Sequence, residues 1–235
     1  MVFKETDAGP VLIIGHRGAG GLRPENTLPS FSEALAQGVN AVELDVHCVE
    51  GELVVIHDEK LERTTNGRGL VADTPLTVLR QLDAGAGAPV PLLSEVFELL
   101  PVSVGINVEL KGAGTAPALA EFLDHFPQHN VLVSSFDHDE LRIFRQARGD
   151  VSVAPLFGRW RGSVWEIARE LRAWSINLST RIATRQRVAD AHTQGFRVLV
   201  YTVNDLEVAR QLADSGVDGV FTDHPERINL AALGD

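Results

Sequence analysis

Short runs of apolar and β-branched residues recur along the chain, separated by longer amphipathic stretches, and this alternation restricts the fold more than any other feature. Runs at 11–15, 41–46, 104–110, 131–135, 151–157, 173–178, 197–203 and 217–222 read as strands. Helical stretches at 28–37, 116–125, 139–148, 164–171, 185–194 and 206–215 stand between them. A strand that is followed by a helix and then another strand pairs in parallel through a right-handed crossover. Eight such strands are the number that closes a barrel, so the expected fold is α/β, a (β/α)8 TIM barrel. A doubly wound open sheet is the alternative.

One interval breaks the rhythm. After a further β run at 53–57, residues 58–101 are too long for a plain βα loop and hold short helical stretches at 76–82 and 94–100. The alternation then resumes. The expectation is therefore a single catalytic domain over 1–235 with a small insertion after the second strand, about 46–103, at the active-site rim. At the first helix, Asn26 or Thr27 reads as the N-cap and Gly38 as the C-cap.

With 44% hydrophobic and 23% charged residues among 235, the chain has ample material for a core. A formal net charge of −11 excludes nonspecific binding to nucleic acid or anionic membrane, which needs a basic surface. A local basic site for a small anion remains open, with Arg17, Arg23 and Lys111 as candidates. A single cysteine, Cys48, rules out an intrachain disulfide or a cysteine zinc cluster and reads as a packed small hydrophobe. The apolar run 11–14 is too short for a secretory core, and none approaches the roughly 18 residues of a membrane span. A cytoplasmic protein without stable membrane association is expected, its oligomeric state left open.

Ionisable groups gather where the first strands end. His16 and Arg17 follow the first, Glu43 and Asp45 close the second, His57 ends the extra β run, and Glu109 and Lys111 close the third. Residues two apart on a strand share a face, and in a barrel that face at the strand's C-terminal end points into the mouth. Glu43 and Asp45 aimed together repel unless a cation lies between them, and carboxylate oxygens suit hard ions such as Mg²⁺, Ca²⁺ or Mn²⁺. Glu109 would add a third oxygen, and Lys111 would oppose negative charge on a bound group. Exposed strand-end acids paired with Lys or Arg are the alternative. His16 and His57 titrate near neutral pH and suit proton transfer. His47, two beyond Asp45, is a further candidate, whereas His125, His129, His138, His192 and His224 read as surface or capping residues. The glycine-rich turn at 15–21 does not fit a dinucleotide site, because Arg23 replaces the last glycine and Pro24 delays the helix.

Taken together, His16-Arg17-Gly18, Pro24-Glu25-Asn26-Thr27, Glu43-Leu44-Asp45 and His57-Asp58 resemble the glycerophosphodiester phosphodiesterase family. Asn107-Val108-Glu109-Leu110-Lys111, Ser134-Ser135-Phe136, Tyr201-Thr202-Val203-Asn204 and the stretch 216–223 extend the resemblance over nearly the whole chain. It implies a TIM barrel with a small insertion and hydrolysis of glycerophosphodiesters, such as glycerophosphocholine or glycerophosphoethanolamine, to sn-glycerol 3-phosphate and an alcohol. It also implies one divalent metal ion, Mg²⁺ or Ca²⁺, on Glu43, Asp45 and Glu109. His16 and His57 match the acid/base pair, and Arg17 and Lys111 the phosphate-binding residues. Phe136 and Tyr201 are candidate walls of the substrate pocket. Tyr201 stands where many members have tryptophan, and 83–91 is short and Gly/Ala-rich, so any departure concerns the leaving group. A lysophospholipase D-like or phosphoinositol phosphodiesterase, or a non-catalytic barrel binding phosphorylated polyols, are the alternatives.

Overall fold

The computed structural model describes Phe3, residues 11–229 and residues 232–233. Its strands are β1 (Leu12–Gly15), β2 (Ala41–Val49), β3 (Glu52–Val55), β4 (Gly105–Leu110), β5 (Val131–Ser135), β6 (Ser152–Phe157), β7 (Ser175–Ser179), β8 (Arg197–Tyr201) and β9 (Gly219–Thr222). All except β3 pair in parallel in the order β1-β9-β8-β7-β6-β5-β4-β2, and bonding of Ile14 and Gly15 in β1 with Ala41 and Val42 in β2 closes the ring. The expected eight-stranded barrel is thus the observed one. Helices α1 (Leu28–Ala36), α4 (Thr115–Phe122), α5 (His138–Ala147), α6 (Val164–Glu170), α7 (Arg185–Thr193) and α8 (Leu206–Asp214) follow their strands, while α2 (Leu76–Leu79) and α3 (Leu93–Leu99) lie in the long interval. Among the described residues no helix is long and apolar enough to cross a membrane.

The second strand outruns its expected end at Val46. It continues to Val49, turns at Glu50 and Gly51 with φ of 54° and 86°, and returns as antiparallel β3. Two successive positive φ values give a turn whose twist matches the strands it joins. The hairpin leads into the rim segment, which has its own small core of Val49, Val54, Ile56, Leu61, Val71, Leu79, Ala84 and Val90. There α2 stops at Leu79, short of the expected 82, and Asp83 Oδ1 accepts the amides of Gly85 (2.7 Å) and Gly87 (3.0 Å) in a turn that a helix could not contain.

Alternation along the strands divides the molecule into layers. Val42, Leu44 and Val46 of β2 and Ile106, Val108 and Leu110 of β4 belong to the shell between barrel and helices, where half-buried Cys48 also packs. The other face points inward. At its base Phe3 plugs the barrel against Ile14, Ala41, Leu132, Ala154, Leu199 and Phe221. Gly105 faces this plug: a Cβ there would stand 2.7 Å from the Phe3 ring. Above lies a polar belt in which Asn107 Nδ2 donates to Ser134 Oγ (2.9 Å) and Ser175 Oγ to Asn177 Oδ1 (2.9 Å).

Candidate active site

Parallel pairing sets Asp45 opposite Glu109 and Glu43 opposite Asn107 at the C-terminal ends of β2 and β4. All three carboxylates are consequently buried, and one oxygen from each lies within 4.8 Å of the others. Burial and the Asp45 charge push Glu43 up to about 8 and Glu109 to about 7. Asp45 is as deeply buried, but Lys111, His57 and Arg17 outweigh that burial and hold it below the usual range. Glu43 Oε2 accepts the Arg17 amide (2.9 Å), whereas its buried Oε1 has no hydrogen-bond partner among the described residues. An all-oxygen set with a bare buried oxygen is the chemistry a hard divalent cation satisfies. Bonds of about 2.1–2.5 Å put oxygens on opposite sides of such an ion about 4.2–5 Å apart, so the three acids fit one.

His16 stands just past β1 and His57 just past β3, and each is tethered through Nδ1. His16 Nδ1 donates to Asp223 Oδ1 (2.7 Å), and Asn204 Nδ2 donates to the other oxygen of Asp223 (2.6 Å). His57 Nδ1 donates to Asp58 Oδ1 (2.5 Å). This fixes the tautomer and leaves Nε2 of each ring for proton exchange; His16 Nε2 is 3.9 Å from Glu43 Oε2. Burial lowers the pKa of His57 despite Asp45. In His16 burial acts the same way but is outweighed by Glu43 and Asp223, so its pKa rises.

Arg17 and Lys111 enter from opposite sides. Arg17 takes a left-handed backbone, φ 54°, ahead of Gly18, and its Nη1 donates to Glu25 Oε1 (2.6 Å) while Nε lies 3.5 Å from Asp45 Oδ2. The Lys111 ammonium bonds Glu109 Oε1 and lies 3.2 Å from Asp45 Oδ1. Phe136, half exposed, meets Tyr201 edge-on at 5.7 Å. His16, Arg17, Glu43, His57, Glu109, Lys111, Phe136 and Tyr201 line one cavity of about 140 Å³, and Asp45 lies buried beneath it. The three acids, the His16/His57 pair, Arg17, Lys111 and the two aromatic residues are therefore brought to one place.

Other expectations change. Arg23 is not part of the basic site, because its guanidinium turns outward to Glu33 (3.0 Å). His47 Nε2 donates to the His57 carbonyl (3.2 Å) and supports the backbone there. His129 is buried against Phe97 and Phe126 rather than at the surface. Thr27 caps α1, its Oγ1 accepting the Ser30 amide (3.4 Å), while Asn26 Nδ2 donates to Asp45 Oδ2 (2.8 Å). Arg63, in a single 3₁₀ turn at Leu61–Arg63, clamps Asp58 (2.5 and 2.8 Å) and Glu25 (2.8 Å twice). Glu25, Asn26, Arg63, Asn204 and Asp223 thus support the site without having been predicted as part of it. Four of them lie within the short motifs quoted above, which was the available signal.

The model of the Glycerophosphoryl diester phosphodiesterase family matches residues 16–227, a span that contains all of these residues. The chain belongs to that family. It is accordingly an enzyme of the phosphodiesterase class. A glycerophosphodiester phosphodiesterase of Caldanaerobacter subterraneus subsp. tengcongensis is 34% identical over 95% of this chain and 98% of its own. Another, of Bacillus altitudinis, is 35% identical over 92% of this chain and 95% of its own. The structure of an Oleispira antarctica phosphodiesterase in complex with the product sn-glycerol-3-phosphate matches with a TM-score of 0.89 at 31% identity, covering 96% of this chain and 98% of that one.

Proposed function

We propose that this family member hydrolyses glycerophosphodiesters to sn-glycerol 3-phosphate and an alcohol. The observation that carries the reading is the meeting, in one cavity, of a buried three-carboxylate cluster with two histidines that are each held by an aspartate through Nδ1. Glu43, Asp45 and Glu109 would hold one divalent ion, Mg²⁺ or Ca²⁺. Such an ion, when bound, supplies Lewis acidity toward a phosphoryl oxygen and lowers the pKa of a nearby hydroxyl or water.

The remaining work falls to the side chains. Arg17 and Lys111 offer N–H donors to the phosphoryl oxygens, where negative charge grows in the transition state. His57, its pKa lowered by burial, is suited to accept the nucleophile's proton, and His16, its pKa raised beside Glu43 and Asp223, to protonate the departing alkoxide. Phe136 and Tyr201 form an aromatic wall beside the leaving group. We read the chain as one catalytic domain whose insertion, about 46–103, frames the rim. We place its activity in the cytoplasm.

Release of sn-glycerol 3-phosphate from glycerophosphodiesters, with and without added divalent metal, tests the reading. Chelation is expected to abolish turnover and metal to restore it. Replacing either histidine by alanine is expected to lower kcat roughly 10²–10⁴-fold. For His16→Ala, a diester with a p-nitrophenol leaving group, which departs without a proton, is expected to recover most of the loss. Full activity in excess chelator rejects the metal role, and near-normal turnover of both variants rejects the acid–base pair.

A further inference from the structure

A second pocket of about 340 Å³ opens beside the active-site cavity, and the two share Phe136 and Leu156 as walls. Its far side is the segment after β6, where Gly158, Arg159 and Arg161 line it. Gly158 brings this segment close to the aromatic wall: a Cβ there would stand 3.9 Å from both Phe136 and the Tyr201 hydroxyl. Arg159 and Arg161 are exposed, and the guanidinium of neither forms an ion pair or hydrogen bond among the described residues. No aspartate or glutamate lines the pocket, although the chain as a whole carries a net charge of −11. The cations of the catalytic cavity differ, since Arg17 is paired with Glu25 and Lys111 with Glu109. Two uncompensated guanidinium groups thus stand one aromatic wall away from the candidate reaction centre.

We propose that this pocket receives the leaving alcohol and selects alcohols that carry an anionic group of their own, a phosphate or a carboxylate. The inference rests on the phosphodiesterase reading and names its substrate class. With the scissile phosphate over the acidic cluster, the alcohol extends past Phe136 into the second pocket, where its anion meets Arg159 and Arg161. Guanidinium forks match the geometry of phosphate and carboxylate. The same charges disfavour a cationic alcohol such as choline, so attraction and repulsion act together.

The test compares kcat/KM on four diesters of sn-glycerol 3-phosphate, whose alcohols are glycerol phosphate, glycolate, glycerol and choline. The wild-type enzyme is expected to prefer at least one of the two anionic alcohols over glycerol by ~10-fold, the scale of a charge-assisted contact, and to prefer it more at low ionic strength. The doubly substituted Arg159→Gln/Arg161→Gln enzyme is expected to lose that preference while its rate on the neutral glycerol diester stays within about two-fold, as for a change in side chains that touch no reacting atom. A gain confined to the phosphate arm or to the carboxylate arm supports the inference and identifies the anion. Equal rates on anionic and neutral diesters, or a preference that survives both substitutions, overturn it. Failure to hydrolyse any of the four overturns the proposed hydrolysis of glycerophosphodiesters itself, and the inference falls with it.

Discussion

Asn26 shows how one residue outside the cavity can decide whether the acids inside it work. Its backbone is left-handed, φ 58°, which asparagine tolerates better than most residues. From that turn its amide nitrogen bonds Asp45 Oδ2 at 2.8 Å and its carbonyl oxygen accepts the Asp45 amide at 3.3 Å. Asp45 is thereby held with one oxygen occupied and the other turned toward Lys111. Asn26→Gly keeps the backbone conformation and removes only the tether. It is expected to weaken divalent-metal binding roughly 10–100-fold, the usual effect of losing a group that orients a ligand, with little change in fold. Titration calorimetry with Mg²⁺ or Ca²⁺ checks this, and an unchanged affinity would remove Asn26 from the metal site. In sequence the residue looked like a helix cap, because asparagine before a helix is locally ambiguous and its partner lies 19 positions away.

At the scale of elements, β4 joins the floor of the barrel to its mouth. Glu109 and Lys111 were legible at its upper end because a strand end that carries two ionisable groups on one face is a local pattern. Its lower end was not, because Gly105 has meaning only beside Phe3, which is remote in sequence. Asp223 and Arg63 escaped for the same reason: Asp223 meets His16 across 207 positions, and Arg63 reaches Glu25 across 38. The extension of β2 to Val49 escaped because Glu50-Gly51 does not announce a hairpin as Asn-Gly would. Gly105→Ala puts a methyl group 2.7 Å from the Phe3 ring and 3.1 Å from Ala41 Cβ. A loss of about 1–3 kcal/mol is expected, read as a lower urea midpoint without a change of slope. Phe3→Leu should relieve part of that loss in the doubly substituted protein, so strictly additive effects would reject the plug.

For the whole molecule, the acids divide into two groups whose effects on stability run in opposite directions. Glu25, Asp58 and Asp223 are held below the ordinary range despite partial burial, the first two by Arg63 and the third by His16. Their contribution is present above the carboxylate pKa of the unfolded chain, roughly 4, and is lost as the pH falls below it. Glu43 and Glu109 are pushed up, to about 8 and about 7, by burial and by Asp45. Their contribution is full below roughly pH 4 and is lost as the pH rises through those values. Metal-free protein is therefore expected to melt at progressively lower temperature from about pH 5 to 8, the interval between the unfolded and folded values of these two acids. A divalent ion reverses this, because it needs the same two carboxylates ionised, and so its binding must release protons near pH 6. At 100 times its dissociation constant the ion adds about 2.7 kcal/mol, which offsets part of the decline. Melting curves across that range with chelator and with metal, together with calorimetry in buffers of different ionisation enthalpy, measure both effects. A melting temperature that does not fall with pH in chelator, or metal binding at pH 6 without proton release, would show that Glu43 and Glu109 do not form the metal's seat.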